Sequence, residues 1–98
     1  MADVVHGYVT AEGSEEEGSK GFRAVKSGTG TYTLLFDNAF AGKPTVVVTI
    51  TGDHNRVDNA HVRSATPGRA VVETGDYYGE LSDRPFSFIA ISGRPVSS

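Results

Sequence analysis

The sequence predicts an all-β fold, an antiparallel β-sandwich of six to seven short strands, and three observations predict it. Apolar residues recur with a period of two rather than 3.6 along almost the whole chain. Clusters of Gly, Pro, Asn, Asp and Ser interrupt these runs at intervals of roughly 8 to 12 residues, the rhythm of sandwiches and small barrels. No stretch carries a helical apolar stripe with capping residues at its ends.

Each element follows from its own residues. "VVHGYVT" (Val4 to Thr10) is the first strand, and the polar, Gly- and Ser-rich "AEGSEEEGSK" after it is a loop. In "GFRAVK" (Gly21 to Lys26), Phe22 and Ala24 alternate with Arg23, the mark of a strand with one wet face. "SGTG" turns the chain into "TYTLLF", where Tyr32, Leu34 and Phe36 share a side opposite Thr31 and Thr33. Pro44 closes the connection "DNAFAGKP" and sets the start of "TVVVTIT" (Thr45 to Thr51), whose β-branched side chains suit a pleated sheet. After the polar loop "GDHNRVDN", "AHVRSAT" and "RAVVET" form a hairpin about the turn dipeptide Pro67–Gly68. "GDYYGELSD" is the last long loop, and "PFSFIAIS" the closing strand.

That closing strand poses a problem. Phe86 and Phe88 lie on one side and Ile89 and Ile91 on the other, so neither face suits water. Val47 places a similar apolar side chain on the back of "TVVVTIT". Either these are enclosed central strands of a barrel, or one side is the sandwich core and the other packs on a neighbouring subunit. A 98-residue chain buries only about 60 to 65% of its unfolded surface and cannot wrap a third layer around a sandwich. The subunit reading is therefore preferred.

Length allows one domain, spanning residues 1–98. The absence of cysteine excludes disulfides, thiolate metal sites and a thiol nucleophile. A net charge of -3, with nine scattered Lys and Arg, provides no footprint for a phosphate backbone, so nucleic acid is not expected as a partner. The longest apolar run is far too short to span a bilayer, and "MADVVHGYVTAEG" lacks the basic start and apolar core of a signal peptide. Membrane insertion is not expected. The expectation is a protein that is cytoplasmic when made, with an extracellular or virion-associated destination left open.

The succession "TYTLLFDNAFAGKPTVVVTITGDHN", "NAHVRSATPGRAVVETGDYY" and "PFSFIAIS", with the Gly in the middle of "VVHGYVT", resembles the H-type lectin domain over nearly the whole chain. Similar modules closing on "F-x-F-I-A-I" occur at the ends of bacteriophage tail fibres. The resemblance implies a six-stranded antiparallel sandwich assembled as a homotrimer, with carbohydrate sites at the edges between subunits. It would place the back of the closing strand on the threefold axis, where cyclic symmetry closes the ring. The cysteine pair of many animal members is missing here, and so is the Trp-His pair that packs on a sugar ring. In the corresponding loop stand Asp76, Tyr77 and Tyr78. A tyrosine can stack on the apolar face of a sugar while a carboxylate accepts from its hydroxyls. Specificity for galactosamine is not implied.

The candidate carbohydrate-binding residues are Asp76, Tyr77 and Tyr78, with Arg56, Asn59 and His61 from the polar loop and the strand after it. Family members contact sugar through an Arg at the start of that strand; the matching position here is His61, with Arg56 nearby as a substitute. Each candidate also has a plainer reading: one tyrosine closing the bottom of the sandwich and the other at a subunit rim, and "GDHNRVDNAH" as a solvated loop. The spacing D-x-N-x-x-D-N lacks the register and terminal Glu of a calcium loop. His6, His54 and His61 have no local metal spacing, although a threefold axis would multiply any one of them by three. The Glu15–Glu17 run is most simply a solvated loop. No metal and no cofactor is expected. No nucleophile elbow or comparable framework holds the Ser, His and Asp residues, so an enzyme is not expected.

Two functions follow as expectations. One is a lectin-like module, acting in cell adhesion, that binds glycans through shallow sites between subunits and gains strength from multivalency. The other is a non-catalytic trimerisation or tip domain of a phage-type tail fibre.

Overall fold

The computed structural model describes residues 3–52 and 56–93. It is all-β, with seven strands: β1 (Asp3–Val9), β2 (Phe22–Gly28), β3 (Thr31–Phe36), β4 (Thr45–Ile50), β5 (Asn59–Thr66), β6 (Arg69–Gly75) and β7 (Phe86–Ser92). Two antiparallel sheets face each other, one ordered β1-β7-β4 and the other β2-β3-β6-β5. This is the sandwich that the period-two pattern predicts, at the upper of the two strand counts.

The inward side chains follow the alternation. Tyr32, Leu34 and Phe36 of β3, Ala70 and Val72 of β6, Phe22 and Ala24 of β2, and Phe86, Phe88 and Ala90 of β7 form one buried core with Val9 and Phe40. Aromatic edges stitch the two sheets together. Phe22 of β2 meets Phe88 of β7 with ring centroids 4.7 Å apart, and Tyr32 of β3 meets Phe86 at 5.2 Å. T-shaped contacts of this kind add about 0.5 to 1.5 kcal/mol each beyond the area they bury. Tyr32 is fully buried, and its hydroxyl donates to the Ala11 carbonyl at 2.7 Å, so its polar end is satisfied. Burial, followed by the nearby Asp83 carboxylate, pushes the Tyr32 phenol above its ordinary range.

Gly7 explains why a glycine interrupts β1. It stands opposite Phe88, and a Cβ there would lie 2.5 Å from the Phe22 ring. The absent side chain is the space that Phe22 fills. The other informative glycine is Gly30, at φ +61, where a Cβ would lie 2.6 Å from the Thr74 carbonyl oxygen. Here the β2–β3 turn is pressed against the end of β6 and the β6–β7 connection. Gly30 N–H donates to Asp83 Oδ1 at 2.7 Å, Lys26 forms an ion pair with the other Asp83 oxygen, and Thr74 Oγ1 donates to the Ser82 carbonyl at 2.6 Å. The long β6–β7 connection is thereby tied down along its second half.

The back of the three-stranded sheet settles how β7 is placed within one chain. The register lines up Val4, Ile91 and Thr45 in one outward row, His6, Ile89 and Val47 in the next, and Tyr8, Ser87 and Thr49 in a third. Val47 is 63% exposed and Ile89 52%, and Val4, Tyr8 and Ile91 are exposed as well. β7 is thus the central strand of its sheet, with Phe86 and Phe88 in the core and Ile89 and Ile91 on a surface that no other part of the described chain covers. The enclosed-barrel alternative does not hold for the single chain.

Candidate functional site

The site candidates gather at the end of the sandwich where β6 exits and β5 begins. Asp76 follows β6 directly, and its Oδ1 accepts from the backbone N–H of Tyr78 at 2.9 Å and of Glu80 at 3.0 Å. The Asp76 N–H donates to the Glu80 carbonyl at 2.9 Å, and Gly79, at φ +82, returns its N–H to the Asp76 carbonyl at 3.0 Å. An aspartate that bonds the backbone two residues ahead builds a tight corner. Its carboxylate therefore has a structural task that leaves at most one oxygen for a ligand.

The corner lifts both tyrosines into solvent. Tyr77 is 59% exposed and Tyr78 81%, with ring centroids 5.1 Å apart and planes at 87°. Neither closes the bottom of the sandwich, as the plainer reading of one of them expects. Two perpendicular rings on a hydrogen-bonded turn form a small exposed aromatic surface beside peptide groups.

Asn59 joins this corner to a cleft. It is the first residue of β5, opposite Gly75, and its Nδ2 donates to the Asp76 carbonyl at 3.4 Å. It also lines a cavity of about 390 Å³ at the seam between β4 and β5. Among the described residues the two sheets share no ladder at this seam, since β4 pairs with β7 and β5 with β6. Val48, Ile50 and Ala60 make the apolar wall of the cavity; Thr49, Arg56 and Asp58 join Asn59 at its polar side.

Arg56 is thus brought to the same end of the molecule as Asn59 and the tyrosine corner, in the role of a cleft residue. His61 is not. It sits on the outer face of β5, where its Nε2 lies 3.2 Å from Glu73 Oε1, and Arg63 holds the other Glu73 oxygen at 3.3 Å. Asp53, His54 and Asn55, which belong to the same polar loop, lie outside the described residues.

The sequence gives no local sign of the pair that backs the cleft. Arg84 Nε donates to Asp58 Oδ2 at 2.9 Å, and the Asp58 side chain is only 3% exposed. Arg84 also donates to the Ser82 hydroxyl at 2.8 Å and to the Asp83 carbonyl at 2.9 Å. The base of the polar loop is therefore fixed to the β6–β7 connection across 26 positions of sequence.

Elsewhere, Glu16 N–H donates to the Tyr8 carbonyl at 3.0 Å, folding the first loop back on β1. His6 and Glu17 line a hollow of about 160 Å³ there. Among the described residues no group of three or more His, Asp or Glu is placed to hold a metal ion. No helix among them is long and apolar enough to cross a membrane. No protein-family model matches the chain, and no curated protein matches it.

Proposed function

We propose that the protein is a carbohydrate-binding, lectin-like module that acts as a homotrimer and contributes to adhesion at a cell or virion surface. One observation carries this reading: the rigid corner at Asp76 presents Tyr77 and Tyr78 to solvent while Asn59 links it to an adjoining cleft with Arg56 on its rim. Shallow aromatic platforms with nearby fixed polar groups suit pyranose rings, which offer one apolar face and a girdle of hydroxyls. Single sites of this kind are weak, and three of them on one assembly raise the effective concentration of a clustered glycan.

A second reading is supported by a different feature. The outward rows Val4–Ile91, Ile89–Val47 and Tyr8 form an apolar surface of the sort that monomers seldom expose. A trimerisation or tip module of a phage-type tail fibre would use that surface with no ligand at all. A glycan array separates the two. Under the lectin reading wild-type protein gives saccharide hits that Tyr77→Ala or Tyr78→Ala reduces at least about tenfold, while sedimentation shows an unchanged assembly. An array without hits, on a protein that sediments as a trimer, would leave the tip-domain reading standing alone.

A further inference from the structure

We infer that the cleft between β4 and β5 takes an acidic saccharide unit, with the sugar carboxylate held by Arg56. The inference rests on the carbohydrate-binding reading above and names the ligand class of its cleft. The cavity of about 390 Å³ falls within the range of ligand clefts, about 300 to 1000 Å³, and exceeds the hollow of about 320 Å³ beside Phe40.

Its charge balance is the first argument. Asp58 is buried against Arg84, so the anion in the lining is already neutralised by a guanidinium from the other side. Arg56 forms no ion pair with any described residue, which leaves the described lining of the cleft with a positive balance in a chain of net charge -3. A planar guanidinium fork matches a carboxylate with two parallel hydrogen bonds, which a neutral hydroxyl cannot reproduce.

The second argument concerns the rest of the ring. Thr51 N–H donates to the Pro85 carbonyl on the β7 side at 3.0 Å. By the alternation of an antiparallel ladder, the peptide groups of Val48 and Ile50 then turn away from β7, towards the seam. They supply both donors and acceptors for ring hydroxyls, alongside the Thr49 hydroxyl and the Asn59 amide. The side chains of Val48, Ile50 and Ala60 form an aliphatic wall for the ring's C–H face. A uronic acid combines these demands: one carboxylate, several hydroxyls and an apolar face.

The test compares two sugars that differ only at the sixth carbon. Isotope-labelled full-length chain is titrated with galacturonate and with galactose, following the backbone amides of Thr49, Ile50, Asn59 and Ala60. The expected result is movement of these amides with a dissociation constant at least about tenfold lower for galacturonate, the scale of a charge-assisted hydrogen-bonded pair. Arg56→Gln, at an exposed position, should preserve the spectrum of the fold and abolish the difference between the two sugars. Equal response to both sugars, or an unchanged preference in Arg56→Gln, overturns the acidic-ligand assignment and leaves the lectin reading intact. Movement of the same amides by sodium acetate at equal concentration and to the same extent overturns the saccharide assignment in favour of a simple anion site. No response to these sugars overturns the inference, and if the glycan array is also blank, the lectin reading falls with it.

Discussion

At the scale of single residues, the side chains that hold the β6–β7 connection matter as much as those it displays. Asp83 accepts from Lys26 and from Gly30 N–H, and these two contacts, the lysine foremost, hold its carboxyl below the ordinary range against a smaller opposing effect of burial. A depressed carboxyl stabilises the fold above its unfolded value, and the stabilisation is lost as pH falls through the folded value. Acid titration of stability should therefore show a loss beginning near the ordinary aspartate range, about pH 4, and continuing below it. Asp83→Asn should flatten that part of the curve and cost about 1 kcal/mol at neutral pH, since the side chain is a third exposed and partly screened. Urea unfolding at pH 7 and at pH 3 measures both effects, and equal slopes in the two proteins would count against the pairing. Asp76 is a related case, because an aspartate ahead of Tyr-Tyr-Gly carries a visible turn signal. Its composition points to a ligand group, but its hydrogen bonds assign it first to the corner. Arg84 had no such signal, because its partner Asp58 lies 26 positions away and only the folded chain brings them together.

At the scale of elements, the strands were legible because alternation is a local property of consecutive residues, and every one of the seven appears within two residues of its expected bounds. Register was less legible. A two-residue turn at Pro67–Gly68 pairs Thr66 with Arg69, and unbroken pairing would put His61 opposite Thr74. The bulge between Val62 and Ser64 shifts the ladder by one, so that His61 faces Glu73 instead. An unpaired residue inserted into one strand has no sequence mark comparable to a Pro-Gly turn. This shift is what gives His61 a carboxylate partner on the outer face of β5. Gly7 supplies a sharper test of element packing. Replacing a mid-strand glycine with alanine ordinarily stabilises a strand. Here Gly7→Ala should destabilise by about 1 to 3 kcal/mol, because the new methyl meets the Phe22 ring at 2.5 Å and the Ser19 hydroxyl at 2.8 Å. Gly68→Ala, where no atom lies within 4 Å, serves as the control and should change stability by less than about 0.5 kcal/mol. Thermal melts of the two variants compare them directly, and a stabilised Gly7→Ala would mean that Phe22 does not occupy the space above β1.

At the scale of the whole molecule, the three-stranded sheet is apolar on both sides, and only one side is covered by the other sheet. The outward rows contain Val4, Tyr8, Val47, Ile89 and Ile91, with His6 at their centre. The four-stranded sheet differs in degree: its outer face carries Arg23, Arg63, Arg69, His61 and Glu73 among the apolar Val25, Leu35 and Val71. That asymmetry is why the trimer proposal uses the three-stranded sheet rather than the four-stranded one. Under the trimer proposal, Ile89→Glu and Val47→Glu should leave the inward packing of Phe86 and Phe88 untouched, because both positions point away from the core. Like charges brought together and desolvated at a shared interface are strongly unfavourable, so each variant should sediment as a folded monomer where the wild type sediments as a trimer. Glycan binding separates affinity from avidity in the same pair of proteins. If Tyr77 and Tyr78 act within one chain, the monomer keeps weak binding to soluble sugar and loses retention on a densely glycosylated surface by about 10²-fold or more. If soluble sugar is lost as well, the site is completed by a neighbouring subunit. A wild-type chain that sediments as a compact monomer would remove the assembly, and a variant unable to fold would show that the outward rows serve the single chain instead.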